Sequence, residues 1–384
     1  MNLSRVRVMV SKEWRETTRD RMFLTLAFLI PLVWMIVFGY GMVFDVEHIP
    51  YAVVDRDHSA LSRDYLSRFQ QSRYFAFQGM VGDEKEIDAL LAQGTVRAVI
   101  IVPEKFQERL REGRSVAVQT LLDGTFPLRS DITKGYVIAI NADFSQETLV
   151  HYLARVKHVS LDHARLMLEP VRFEVRYLYN QEVRSAWTIA PTLVMLVLSL
   201  SPPLLSALGI VREKERGSIY NIYSSTVTPF EFLIGKLFPY AVISSINVII
   251  LWLLAVYVFG APFKGNPLFF FVASVLFILC TTGIGLVVSM FVRTQQAALI
   301  ITLLISIIPT INYSGMLVPV SSLTAGAQII SHLFPAMYYT NIIRGTFLKG
   351  VGLDVLWFDV VILMLYAVVL RLVAHQLFTK RPAV

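Results

Sequence analysis

The sequence predicts a polytopic α-helical membrane protein with six transmembrane helices and an inserted α/β extracytoplasmic domain. Three observations predict it. Of 384 residues, 55% are hydrophobic and 16% charged, against roughly 25% charged in soluble domains. The charge is unevenly placed: residues 44–185 hold 18 of the 35 Lys+Arg and 20 of the 28 Asp+Glu, a net of −2, leaving 17 basic and 8 acidic groups elsewhere. Uncharged windows of about 20 residues, enough to cross a bilayer, recur at 22–43, 187–211, 237–260, 268–292 and 294–317. A sixth, around 357–377, has Asp359 near one end and Arg371 and His375 near the other, close enough to reach the interface.

Residues 1–21 place Leu3, Val6, Val10 and Trp14 on one helical stripe, with Arg5, Lys12, Arg15 and Arg19 largely opposite and Arg7 spoiling the stripe. Two readings fit: a connecting helix lying in the membrane interface, or the basic flank of the first span. The uncharged run 22–43 is longer than the roughly 7–15 residues of a signal-peptide core and is expected to be a retained span.

Residues 44–185 alternate strand-like and helix-like stretches. Tyr51 to Val54 predicts a strand, followed by a helix from about Ser59. Asp83 and Glu86 form a capping-box pattern ahead of a helix to Gln93. Val96 to Val102 predicts a buried strand, and Pro103 suits the first turn of the next helix. Another strand covers Val116 to Leu122, a long helical stretch covers 130–168, and Phe173 to Tyr179 predicts a last strand. His158, Asp162 and His163 lack a further ligand and suit a solvated helix face. Asp55 and Asp57 follow a strand, where acidic residues cap the next helix. Neither catalysis nor a metal site is expected here. The single cysteine, Cys280, lies in an apolar run and reads as a small core residue.

Residues 186–378 hold the second to sixth spans, with 379–384 as a tail. Between the second and third lies 212–236, with Arg212, Glu213, Lys214, Glu215, Arg216 and Gly217, then the helix-start pattern Thr228, Pro229, Phe230 and Glu231. Its mixed charge suits either a solvated loop or a docking site for a soluble partner. Residues 318–356 are too apolar for a solvated loop, and irregular backbone at membrane depth survives only when covered; a pair of short re-entrant or interfacial helices is expected.

With the N-terminus inside, the short cytoplasmic pieces carry thirteen Lys+Arg and the short outer pieces three. That asymmetry predicts cytoplasmic termini, so the positive charge follows the lipid bilayer and requires no nucleic acid. The nearest approach to a G-x-x-x-x-G-K-[ST] phosphate loop, Gly260 to Gly265, continues with Asn266; nucleotide must therefore be hydrolysed elsewhere. The spans also lack the midplane Asp, Glu or His on which ion-coupled carriers depend.

On these residues the chain resembles the permeases of type-2 ABC exporters, in the branch with a large extracytoplasmic insert between the first two spans. Lys12-Glu13 and Arg19-Asp20-Arg21 look like the family's connecting helix. Arg212 to Ser218, Thr228 to Glu231 and Gly235-Lys236 look like its ATPase-coupling element. Ser314-Gly315-Met316-Leu317 with Pro319, Pro335 with Tyr338, and Ile343 to Gly350 look like its outer re-entrant segment. Tyr220-Asn221-Ile222-Tyr223 departs from the family's usual Glu-x-Leu, which leaves the identity of the ATPase open. The resemblance implies a bacterial inner-membrane protein that works with a cytoplasmic ABC ATPase carrying the ATP and Mg, and with a second permease copy as homodimer or related heterodimer. A periplasmic membrane-fusion protein often joins this branch. The resemblance also implies a substrate path lined by the second and fifth spans, with Thr192, Ser199, Pro202, Ser206, Ser306, Thr310, Asn312 and Tyr313 as candidates. Their apolar and hydroxyl character suits a hydrophobic or amphiphilic substrate. The competing reading is a membrane-anchored sensor or assembly scaffold, which would leave four of the six spans unexplained.

Overall fold

Each apolar window becomes a helix, because in hydrocarbon a helix satisfies its own backbone N–H and C=O groups. The computed structural model describes residues 2–42, 46–82, 84–168, 176, 178–182, 184–218 and 227–377. The chain divides into two compact units, Met1–Val43 with Tyr177–Val384, and Phe44–Arg176.

In the first unit, helix Leu3–Arg19 leads into the first span, Arg21–Gly41. The others are Ser185–Glu215, Pro229–Val258, Pro267–Phe291, Gln295–Tyr313 and Leu353–Leu377. Local chemistry starts them. Asp20 accepts from the Met22 N–H, Asn266 from Leu268 and Thr294 from Ala297, while Thr228 and Glu231 form the expected capping box. The second span is apolar all round, the pattern of an enclosed helix, and its most apolar 18 residues are wholly buried. The first, third, fourth and fifth spans pack on it, and the sixth leans on the fourth.

Two close approaches fix this packing. A Cβ on Gly285 of the fourth span would stand 2.0 Å from the Pro203 carbonyl oxygen of the second, so only glycine lets the two backbones meet. In the first span a π-helical turn, Thr25–Leu29, precedes Pro31, which has no N–H to offer the turn before it. The Leu26 carbonyl instead accepts a hydrogen bond from the Ser201 hydroxyl of the second span, 2.9 Å.

The segment after the fifth span contains the expected pair of short helices, Ala325–His332 and Pro335–Arg344. Arg344 donates to the carbonyls of Gly315 at 2.6 Å and Met316 at 3.1 Å, just past the C-terminus of the fifth span, where helix carbonyls lack partners of their own. Tyr339 stacks on Phe277, centroids 4.2 Å apart, and its hydroxyl meets Ser274 at 2.7 Å.

Among its described residues, the second unit is a four-stranded sheet flanked by helices. Its strands are β1 Ile49–Asp55, β2 Phe75–Met80, β3 Ala98–Val102 and β4 Gln119–Leu122, in spatial order β2-β1-β3-β4. β1 runs parallel to β2 and β3, and β4 runs antiparallel to β3. Alternation along β1 feeds two cores: Tyr51 and Val53 face Tyr65, Phe69 and Phe144, whereas Ala52 and Val54 join Ile87 and Val99. Asp55 accepts from the Asp57 and His58 N–H groups and the Ser62 hydroxyl, closing the turn into helix Ala60–Gln71. Three details differ from expectation. β2 was not legible, because its burial is irregular and much of it is exposed. Pro103 precedes helix Phe106–Arg111 instead of opening it. The long helical stretch breaks at His158, which adopts a left-handed φ of 52° between Pro127–Lys157 and Leu161–Leu168, so His158 and Asp162 share no helix face. Asp83, most of Phe173 to Tyr179, and Tyr220 to Tyr223 lie outside the described residues.

Candidate functional site

The charged residues between the second and third spans do not form one exposed loop. The second span continues through Glu215, and this carries Arg212 and Glu213 into the interior. That corrects the expectation of a solvated loop for these two residues. An uncompensated buried charge is costly, so each has acquired partners.

Lys236, fully buried on the third span, reaches Glu13 Oε2 of the N-terminal helix at 2.5 Å and Glu213 Oε1 of the second span at 2.9 Å. Lys12 Nζ approaches the same Glu213 oxygen at 3.1 Å, and the Tyr240 hydroxyl donates to Glu13 Oε1. One turn along, Arg212 pairs with Asp20 at 2.7 Å and Glu16 at 3.6 Å, with its guanidinium 4.4 Å from the Phe23 ring centroid. Burial works against the Lys12 ammonium, yet the carboxylates of Glu213, Glu16 and Glu13 hold its pKa above the usual value. Glu13, Glu16 and Glu213 bring ligand oxygens close enough to surround a cation. Lys236, Lys12 and Arg212 already supply positive charge there, which makes the cluster a brace between three helices.

Close packing reinforces the brace. A Cβ on Gly235 would lie 2.6 Å from Met9 Cβ, and one on Gly209 would lie 1.9 Å from the Tyr240 hydroxyl. The N-terminal helix therefore turns Glu13 and Thr17 inward and leaves Leu3 and Trp14 of its apolar stripe exposed, the arrangement of a helix with a free apolar face for lipid. Glu231 ties in the chain start, accepting from the Asn2 N–H at 2.6 Å while capping Thr228.

The other candidates separate by exposure. Lys214 donates to the Ser289 carbonyl at 2.6 Å, near the end of the fourth span. Glu215 is exposed and accepts from Gln295 at 2.6 Å. Arg216 and Thr228 are exposed, Phe230 is 53% exposed, and Pro229 is half-buried. Gly217 has a φ of 73°, the left-handed value that ends a helix. Among the described residues of this segment, Glu215, Arg216, Thr228 and Phe230 are exposed.

Most of the substrate-path candidates are buried in helix packing. Thr192, Ser199 and Ser206 are buried, with hydroxyls donating to helix carbonyls: Ile189, Met195, and both Pro203 and Thr282 respectively. Pro202 is buried beside them. On the fifth span Ser306 and Thr310 are buried, Asn312 is exposed and donates to Ile308, and Tyr313 stacks on Phe334. Ser306 and Thr302 keep hydroxyls without a partner among the described residues. An apolar pocket of about 180 Å³ lies between the first, second and fifth spans, lined by residues such as Trp34, Val197, Leu204 and Leu303. Sequence reasoning missed it because it selected polar side chains, whereas this wall is almost wholly aliphatic and aromatic.

Comparison with known proteins identifies the family. Residues 21–374 match the family described as ABC-2 family transporter protein. The chain is 27% identical over 348 residues to the probable multidrug ABC transporter permease YbhS of Escherichia coli (strain K12), covering 90% of this chain and 89% of that protein. It is 23% identical over 379 residues to the probable multidrug ABC transporter permease YbhR of the same organism, covering 98% and 99%. A third relative, the inner membrane transport permease YhhJ of Escherichia coli (strain K12), is 24% identical over 311 residues, covering 80% and 79%. With six helices among the described residues long and apolar enough to span a bilayer and no phosphate loop in the sequence, the chain belongs to the ABC-2 transporter family, as a multi-pass permease subunit whose ATP is hydrolysed by a separate subunit.

Proposed function

We propose that this permease moves a hydrophobic or amphiphilic substrate outward across a bacterial inner membrane, with both termini cytoplasmic and the inserted unit outside. The orientation is supported by the Lys+Arg asymmetry of the short loops. The substrate class is supported by the apolar pocket beside the second span and by the relatives YbhS and YbhR, described as probable multidrug permeases.

The observation that carries the mechanism is the brace at Lys236. A cytoplasmic ABC ATPase, holding ATP and Mg, docks on Glu215, Arg216, Thr228 and Phe230. Its closure pushes the start of the third span. Because Lys236, Glu13 and Glu213 join three helices through buried ion pairs, the push moves the N-terminal helix and the central second span together. Two permease copies then open a path between them, and a periplasmic fusion protein receives the substrate. The test is co-purification of the ATPase, followed by turnover in nanodiscs against a panel of lipids and drugs. Retention of a stoichiometric ATPase with substrate-stimulated turnover is expected; an ATPase absent from gently solubilised material, with no stimulation on adding it back, sinks the proposal.

A further inference from the structure

The inserted unit carries a groove that the permease mechanism leaves unused. It lies between helix Phe106–Arg111 and helix Pro127–Lys157 and consists of two adjoining cavities, about 350 and 440 Å³. They share Leu110, Phe144, Thr148 and Tyr152, so one runs into the other. Small-molecule pockets are typically about 300–1,000 Å³, and each cavity reaches that range alone.

The two ends differ in chemistry. At one end Val116, Val118 and Leu149 stand over a floor that includes Phe106, Phe144 and Tyr65. The Tyr65 hydroxyl already donates to Asn141 at 2.6 Å, so the floor presents ring and aliphatic carbon. Gly113, with a left-handed φ of 74°, brings the chain down against Tyr152 at this end.

At the other end the wall is ionic, and its charges are unequally used. Arg68 is claimed by Asp64, Asp143 and Glu147 and lies 5.2 Å from the Phe144 ring centroid. One guanidinium offsets only one of these carboxylates, but the cavity lining as a whole sets three guanidiniums, Arg68, Arg111 and Arg155, against two carboxylates, Asp64 and Glu147, and stays net positive. Arg111 and Arg155 line the same cavity, exposed, with no carboxylate partner among the described residues. An apolar trough that ends at two uncommitted guanidiniums matches a molecule with an apolar body and an anionic head, since guanidinium pairs well with carboxylate, sulfate or phosphate oxygens.

We propose that this groove binds a single-chain anionic amphiphile, with its head on Arg111 and Arg155 and its hydrocarbon along Val116, Val118 and Leu149. The proposal concerns binding by the inserted unit and stands apart from transport, so failure here leaves the permease reading intact.

The test uses the full chain in nanodiscs carrying Ser145→Cys, labelled with an environment-sensitive fluorophore. Ser145 lines the apolar cavity, and the native Cys280 is buried. Dodecanoate is expected to give a saturable blue shift and dodecanol none. In the Arg111→Ala/Arg155→Ala background the same shift is expected to need about tenfold more dodecanoate, with an unchanged melting temperature, and Arg→Lys at both sites recovers part of the affinity. No saturable shift, an equal response to dodecanol, or an unaltered response in the double variant each overturns the proposal. Nanodiscs of zwitterionic and of anionic phospholipid separate a free amphiphile from a bilayer lipid. Dodecanoate saturation in both supports the free ligand, and a shift already complete in anionic nanodiscs before dodecanoate is added overturns it.

Discussion

Lys236 Nζ lies 2.5 Å from Glu13 Oε2 although 223 residues separate them in the chain. Both side chains are buried, and the same ammonium reaches Glu213 at 2.9 Å. One cation therefore holds the N-terminal helix, the second span and the third span at a single point. Removing one member of a buried ion pair typically costs about 3–5 kcal/mol, because the other charge stays behind unpaired.

Lys236→Met is accordingly expected to lower the melting temperature sharply and to uncouple ATP turnover from substrate. Adding Glu13→Gln removes one of the stranded charges and recovers part of the stability. Differential scanning fluorimetry of the wild type, the single variant and the double variant checks this. A double variant less stable than Lys236→Met alone contradicts the brace.

The exposed end of the same region should behave differently. Surface substitutions usually change stability by less than about 0.5 kcal/mol, and Arg216 and Phe230 are exposed. Arg216→Glu with Phe230→Asp is expected to abolish ATPase pull-down at an unchanged melting temperature. Retained pull-down would place the docking surface elsewhere.

Gly285→Val tests the contact between the fourth and second spans. Its Cβ would lie 2.0 Å from the Pro203 carbonyl oxygen, a clash with backbone that no rotamer relieves. Overpacking of this kind costs about 1–3 kcal/mol or more, read as a lower melting temperature in detergent. Gly326→Val, at a site with no atom near the would-be Cβ, serves as the control and should cost far less.

The inserted unit offers a pH test. Hydrogen bonds from the Thr125 hydroxyl and backbone N–H, followed by the Arg97 guanidinium, lower the Asp123 pKa from 3.8 to about 2. A carboxylate depressed by folding stabilises the fold fully above its unfolded pKa and loses that contribution as pH falls through the folded value. The difference in melting temperature between wild type and Asp123→Asn should therefore be constant above about pH 5 and shrink between pH 4 and 2. A difference that stays constant to pH 2 refutes the assignment.

Much of this architecture was legible in the residues. Hydropathy is a local sum, so six windows sufficed to predict six spans, and Thr228 with Glu231 announced the start of the third because a capping box is a contact between near neighbours. β2 was not legible: only its first residue is buried, so no alternation marks it. The same limit hid the partners of Arg212, Glu213 and Lys214. A run of mixed charge reads alike whether it faces water or a buried partner, and these partners, Asp20, Glu16, Lys12 and Ser289, lie far away in the sequence.

By itself, the sequence determined that the chain crosses a bilayer six times, carries a charged insert after the first span and lacks its own phosphate loop, since each depends on composition within a short stretch. Only the tertiary structure decided which charges in 212–236 turn inward. That depends on how far the second span extends as a helix and on which side chains the N-terminal helix brings against it. A buried ion pair forms only when distant segments meet with complementary charge, and that meeting is a property of the packed bundle.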